Sequence, residues 1–197
     1  MPHSIQFWFE YASTYSYLSA MRIEDVATSH GVTAEWQPFL LGPIFASQGW
    51  DNSPFNLYPA KGRYMWRDME RLTAQRNLPF QKPNPFPQNG LKAARLTLAI
   101  EDHAQRAAFS RAVYSAEFAN GQNIADDAVL RACLAEAGLS QDLLDKTQDP
   151  AVKAALITQT KTAQDNGLFG APSFLVGGEL FWGDDRLEDA VRFATTI

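Results

Sequence analysis

Ser13 is the first residue whose position suggests chemistry. It follows the apolar, aromatic run of Ile5, Phe7, Trp8 and Phe9 and the break Glu10-Tyr11-Ala12. It precedes a stretch with helical apolar spacing through Tyr15, Leu18, Met21, Ile23 and Val26. A serine at a strand-to-helix junction lies where backbone N–H groups are unpaired and where the positive end of the helix dipole points. Such a place holds an anion and eases the ionisation of a thiol. A serine there also caps a helix, and the stretch alone fits both roles. The second group is the basic run from Lys61 to Lys82, where Arg63, Arg67 and Arg71 are spaced by four and share one helix face. That pattern reads either as a solvated face or as a local field that attracts a small carboxylate ligand.

Other chemistries find no support. The three histidines, His3, His30 and His103, stand far apart without metal-ligand spacing, so no metal site is expected. His30 precedes Gly31 at a helix end, where a cation suits the dipole. The one cysteine, Cys133, falls in the apolar stripe Val129, Leu130, Leu134 and Ala137, which points to a structural, buried thiol. A single cysteine forms neither an intramolecular disulfide nor a CxxC redox pair. No GxSxG elbow, P-loop or GxGxxG is present. Trp8, Tyr64, Trp66 and Trp182 fit either an aromatic pocket or the core.

The elements that must position Ser13 follow from the rest of the chain. Its 197 residues, 46% hydrophobic and 20% charged, suit a globular protein with a sizeable core. A net charge of -5 argues against nucleic acid and anionic membrane surfaces as partners. No apolar run approaches the roughly 20 residues that span a bilayer, and no signal-peptide pattern opens the chain, so a cytoplasmic location is expected. A helix from Thr14 to His30 and a strand from Ala34 to Leu40 complete a βαβ unit with the first strand. Residues 41–60, rich in Gly, Pro, Asn and Ser, read as a functional loop. Pro79 to Pro87 excludes regular helix, and helical patterns follow at Gly90–Glu101, Gln105–Phe118 and Asp126–Ala137. Ser140 caps a short helix through Leu144, and Asp149-Pro150 opens a helix that runs to Gly167. Ser173–Val176 and Glu179–Trp182 flank Gly177-Gly178 as a hairpin, and Asp185-Arg186-Leu187-Glu188 reads as a capping box for a last helix. The order is β-α-β, a helical block, then β-β-α.

A proline just before that hairpin, Pro172, completes the thioredoxin layout, and X-Pro bonds are where cis peptides occur. The chain resembles the 2-hydroxychromene-2-carboxylate isomerase family, kin of kappa-class glutathione transferases and of DsbA-type proteins with a helical insertion. The resemblance rests on four stretches in order: Ser13–Leu18, Pro59–Tyr64, Phe169–Phe174 and Phe181–Leu187. It implies an α/β, thioredoxin-like fold built from residues 1–60 and 168–197, with residues 61–167 as an all-helical insertion. Ser13 and Ser16 then stand where redox relatives carry cysteines, which argues against a dithiol oxidoreductase and for an enzyme that borrows the thiol of glutathione.

Position by position, the resemblance makes Ser13 the catalytic residue that hydrogen-bonds the glutathione sulfur. The Ala171 backbone, beside a cis-Pro172, pairs with the cysteinyl part. Asp184 and Asp185 receive the γ-glutamyl end, and Asn52 and Lys61 the glycyl end. The reaction implied is reversible thiolate addition that interconverts 2-hydroxychromene-2-carboxylate and trans-o-hydroxybenzylidenepyruvate, an aromatic carboxylate of catabolism. Two departures stand out: Glu10 where the family usually has Asp, and Thr14 where it usually has Pro. A kappa-like conjugating transferase and a non-catalytic binding protein are the alternatives. Members of the family often form dimers, which leaves a homodimer open.

Overall fold

The structure, a computed structural model, describes residues 3–197, so the first two residues of the expected 1–60 segment lie outside it. Four strands form one sheet: β1 (His3–Phe9), β2 (Val32–Pro38), β3 (Ser173–Val176) and β4 (Glu179–Trp182), in the order β2-β1-β3-β4. β1 runs parallel to β2, and the β1–β3 and β3–β4 pairs are antiparallel. Two elements meet in sequence only across the helical block, yet β3 takes the place beside β1, with Phe7 opposite Phe174. The Gly177-Gly178 link joins β3 to β4 with both residues at positive φ (56° and 89°), as a two-residue hairpin of this type requires.

The central strand is buried on both faces because its period of two feeds two cores. Ile5, Phe7 and Phe9 join the main core with Trp36 and Phe174, where Phe7 packs edge-on to Trp36 and stacks on Phe174. Trp8 turns the other way, into a second cluster with Phe39, Ile44, Ala163, Leu168 and Leu175. This near-continuous apolar run is what a strand covered by helices on both sides needs.

The helices are α1 (Thr14–Ala20), α2 (Ile23–Ser29), α3 (Leu41–Ser47), α4 (Pro54–Leu57), α5 (Pro59–Gln75), α6 (Leu91–Ala99), α7 (His103–Tyr114), α8 (Asp127–Glu136), α9 (Pro150–Asp165) and α10 (Leu187–Ala194). A π-helical turn, Ser115–Ala119, extends α7, and 3-10 turns occupy Gln141–Gln148 and Asp184–Arg186. Among the described residues no strand lies between Pro38 and Ser173, so a helical block sits inside a DsbA-like thioredoxin fold. In α5, Gly62, Met65, Met69 and Thr73 are buried at helical spacing, while Arg63, Arg67 and Arg71 face outward. Cys133 is buried on α8, and burial pushes its thiol up to about 12, beyond useful reactivity. Asp149 caps α9 by accepting from the Ala151 N–H at 2.9 Å. His30 closes α2 with Nδ1 2.9 Å from the Val26 carbonyl.

Three expectations need correction. The helix expected over Thr14–His30 is two helices, broken at Met21-Arg22, where Arg22 leaves helical geometry (φ -139°). That break lets its guanidinium reach Asp184 and Glu188. The segment 41–60 is not an irregular loop: it holds α3, α4 and the start of α5. Its prolines mark helix starts, because Pro43, Pro54 and Pro59 all sit in first turns, where a missing N–H loses no helical bond. The capping box at Asp185 does not form. Arg186 stands at the cap of α10 without a side-chain bond, and the Asp185 carboxylate accepts from Arg186 instead.

Candidate active site

Ser13 stands at the end of a tight turn. Its N–H donates to the Glu10 carbonyl at 3.0 Å, closing Glu10–Ser13 between β1 and α1. The backbone there is extended (φ -86°, ψ 114°), the usual conformation of an N-cap, and Oγ accepts from the Ser16 N–H at 3.2 Å. The same hydroxyl donates to the Ala171 carbonyl at 2.9 Å. Ser13 is therefore both a helix cap and the link to the cis-proline loop, and the two roles use different sides of one oxygen. A hydroxyl has one proton to give, so it serves a bound acceptor only by turning away from Ala171. Ser16 is fully buried, and its Oγ has no hydrogen-bond partner among the described residues.

The Ala171–Pro172 bond is cis. Ala171 makes no hydrogen bond through its N–H among the described residues, while the Pro172 carbonyl accepts from the Gly183 N–H at 3.0 Å. That bond sets the end of β4 beside the helix start. Trp182 is half-exposed there, and its ring packs against Phe169 with centroids 4.9 Å apart.

All seven residues singled out from the sequence line one cleft of about 1480 Å³: Ser13, Asn52, Lys61, Ala171, Pro172, Asp184 and Asp185. Their states differ. Asp185 is exposed and shares its carboxylate with Arg186. Lys61 lies over the Tyr58 ring, its Nζ 4.9 Å from the centroid, and has no ion pair among the described residues. Asn52 uses its side-chain oxygen to accept from the Ser53 N–H (2.8 Å) and the Asn56 amide (3.0 Å), leaving its own N–H₂ available. Asp184 is 5% exposed and fully engaged: Ser19 Oγ donates to it at 2.9 Å, Arg76 at 2.6 Å and Arg22 at 3.3 Å. Its carboxylate anchors the wall of the cleft and is itself one of the groups that line it. Of the four aromatic candidates, Tyr64 and Trp182 line the cleft. Trp8 is core, and Trp66 packs edge-on to Phe86 with Lys82 above its ring.

Sequence reasoning missed several groups. Arg76 falls in the basic run that reads as a solvated face or a local field, yet it continues the buried spacing of Met69 and Thr73 on α5, which is the available signal. Arg22 gave no signal. Tyr15 donates to Asp68 at 2.9 Å inside the cleft, and burial together with that carboxylate raises its phenol. Phe45, Trp50 and Phe55 add apolar lining to the cleft from the segment read as loop. Among the described residues no three His, Cys, Asp or Glu side chains could hold a metal ion. No helix there is long and apolar enough to cross a membrane.

A sheet of this order, presenting a helix start and a cis-proline loop to one cleft, defines the thioredoxin-like class, here with hydroxyls and no thiol at the helix start. The chain belongs to the DSBA-like thioredoxin domain family, whose model matches residues 4–193. It is 30% identical over 190 residues to a 2-hydroxychromene-2-carboxylate isomerase of Sphingobium xenophagum, covering 95% of this chain and 96% of the relative. It is 27% identical over 203 residues to human glutathione S-transferase kappa 1, covering 95% and 89%. A solved 2-hydroxychromene-2-carboxylate isomerase superposes with a TM-score of 0.85 at 22% identity, over 93% of this chain and 90% of that one. Its relatives carry enzyme names, isomerase and glutathione transferase, and the chain is an enzyme of this family.

Proposed function

We propose that the protein is a glutathione-dependent isomerase acting on an aromatic carboxylate of the hydroxychromene type. The observation that carries the reading is Ser13: a hydroxyl at a helix start, 2.9 Å from the Ala171 carbonyl beside a cis proline, in a cleft that Cys133 does not line. The residues suit a peptide with charged ends. The Ala171 N–H offers main-chain pairing to the cysteinyl part. The exposed Asp185 attracts an ammonium group, and Lys61 with the Asn52 amide a carboxylate. When bound, glutathione would supply a nucleophilic thiolate for reversible addition to the unsaturated acid.

The chain's own part is binding and positioning. Ser13 turns its hydroxyl to the sulfur, and the start of α1 adds N–H groups and the dipole in the same sense. Phe45, Trp50, Phe55 and Tyr64 form an apolar floor that orients aromatic rings and sheds water. The same reading includes a cytoplasmic homodimer and a division into a thioredoxin-like part (1–60, 168–197) and a helical insertion (61–167).

The test has two stages. Titration calorimetry with glutathione is expected to show binding; its absence makes the chain a non-catalytic member of the fold. Incubation with glutathione and the chromene carboxylate is then expected to give the ring-opened pyruvate with glutathione unconsumed. Stable conjugates with an aryl halide and no isomerisation would mark a kappa-like transferase instead.

A further inference from the structure

Glu10 is a carboxyl that the reading above does not use, and its setting is unlike that of the other acids in the cleft. The turn closed by the Ser13 N–H on the Glu10 carbonyl makes the two residues its ends, so their Cα atoms lie within about 7 Å. The Glu10 side chain lines the same cleft as Ser13. Gly90 makes room for it: a Cβ at residue 90 would stand 2.9 Å from Tyr11 Cβ and 3.4 Å from Glu10 Oε1. The remaining cleft acids differ. Asp184 is held by two arginines, Asp68 accepts from Tyr15, Asp185 is exposed beside Arg186, and Asp51 is exposed.

Among the described residues no cation faces Glu10. From its own turn comes Tyr11; from α7 comes Tyr114, whose hydroxyl donates to the Glu10 backbone carbonyl at 2.9 Å; from the π-helical turn comes Glu117. The Gln88–Gly90 segment brings no charge. Glu117 is fully buried, and neither of its oxygens has a partner among the described residues. Burial, and then the nearby Glu10, raise its carboxyl well above the usual range, which keeps it neutral. Burial also pushes Glu10 up to about 7, against one hydrogen bond from the Ala12 N–H that pulls the other way. No histidine lines the cleft.

Resting on the glutathione reading, we propose that Glu10 is the proton acceptor of this site: it takes the proton of a thiol held at Ser13 and returns it when the thiol departs. The S–H bond breaks with its electron pair left on sulfur, and an O–H bond forms on the Glu10 carboxyl. The reverse transfer restores both. The transfer thus requires no net release of the proton to bulk water.

The test counts protons per thiolate. Thiolate absorbance measures how much bound glutathione is ionised, and calorimetry in buffers of different ionisation enthalpy measures the protons released. At pH 8, where Glu10 is mostly ionised, wild type is expected to release well under about one proton for each thiolate formed. Glu10→Gln is expected to release about one per thiolate, or to form none, and Glu10→Asp to behave as wild type. About one proton per thiolate in wild type overturns the proposal and leaves the glutathione reading standing. Absence of binding heat in wild type overturns that reading first, and this inference with it.

Discussion

The two walls of the cleft are built to different standards. On the sheet side, the Ser13 turn, the Ala171–Pro172 loop and the Gly183–Asp185 segment are tied to one another by short hydrogen bonds, with Asp184 pinned by Arg22, Arg76 and Ser19. On the facing side, α3 buries one residue, Ile44, and α4 buries none. Tyr64, which lines the cleft, and Leu57 and Tyr58 on the same stretch stand exposed. Groups that must meet a reacting atom need a fixed geometry, so they belong on the tied wall. Groups that admit and fit a varied aromatic body gain from a wall with few buried contacts, which opens at low cost.

Substitutions can break or sharpen this contrast. Asp184→Asn leaves two arginines without their shared carboxylate, and a loss of about 3 kcal/mol in denaturant unfolding is expected. An unchanged midpoint would mean that the wall is held by its backbone alone. Lys61→Ala on the open wall is expected to leave the unfolding curve in place and to weaken glutathione binding by about 1–3 kcal/mol in calorimetry. If Arg71→Ala weakens binding and Lys61→Ala does not, the cleft has been read from the wrong face of α5.

Ser13→Ala removes the cap of α1 and the link to Ala171, with an expected stability loss of about 0.5–2 kcal/mol. It is also expected to raise the pKa of bound glutathione, so that the rate falls at neutral pH and partly recovers in base. Superimposed thiolate titrations of wild type and Ser13→Ala would reduce Ser13 to a cap. Glu117→Gln carries a smaller effect with a definite sign. An acid whose folded pKa is raised keeps its proton where the unfolded chain has released it. Stability is therefore full below the unfolded value of about 4.5 and is lost as pH rises towards the folded one. The variant is expected to match wild type near pH 4 and to melt higher at pH 8, by a few degrees for about 1 kcal/mol. Equal melting at pH 8 would mean that Glu117 is ionised and paired. Arg67→Ala and Arg71→Ala, on exposed side chains, are expected to change stability by less than about 0.5 kcal/mol.

Local patterns read well where one principle acts alone. An apolar, aromatic run marked β1, Gly177-Gly178 marked the hairpin, and Asp149-Pro150 marked the start of α9. Reading failed where a residue served two ends. Arg22 looked like an ordinary helical position because nothing near it in sequence signals Asp184, 162 residues away. The helices of 41–60 were hidden because their prolines and glycine mimic a loop, although proline in a first turn starts a helix as readily as it ends one.

The sequence by itself determined the order of elements, the absence of a dithiol, the serine at the first helix start and the cis-prone proline before the hairpin. Each of these is local, carried by the backbone preference or chemistry of a few adjacent residues. Only the tertiary structure decided which charged groups face a ligand. Among the described residues it buried Asp184 between two arginines, left Lys61 without an ion pair, and set Glu10 and Glu117 together without a cation. The reason is physical: a carboxyl's state depends on burial and on neighbours brought in from distant segments, so of two adjacent aspartates Asp184 becomes a buried anchor and Asp185 stays exposed once the chain has folded.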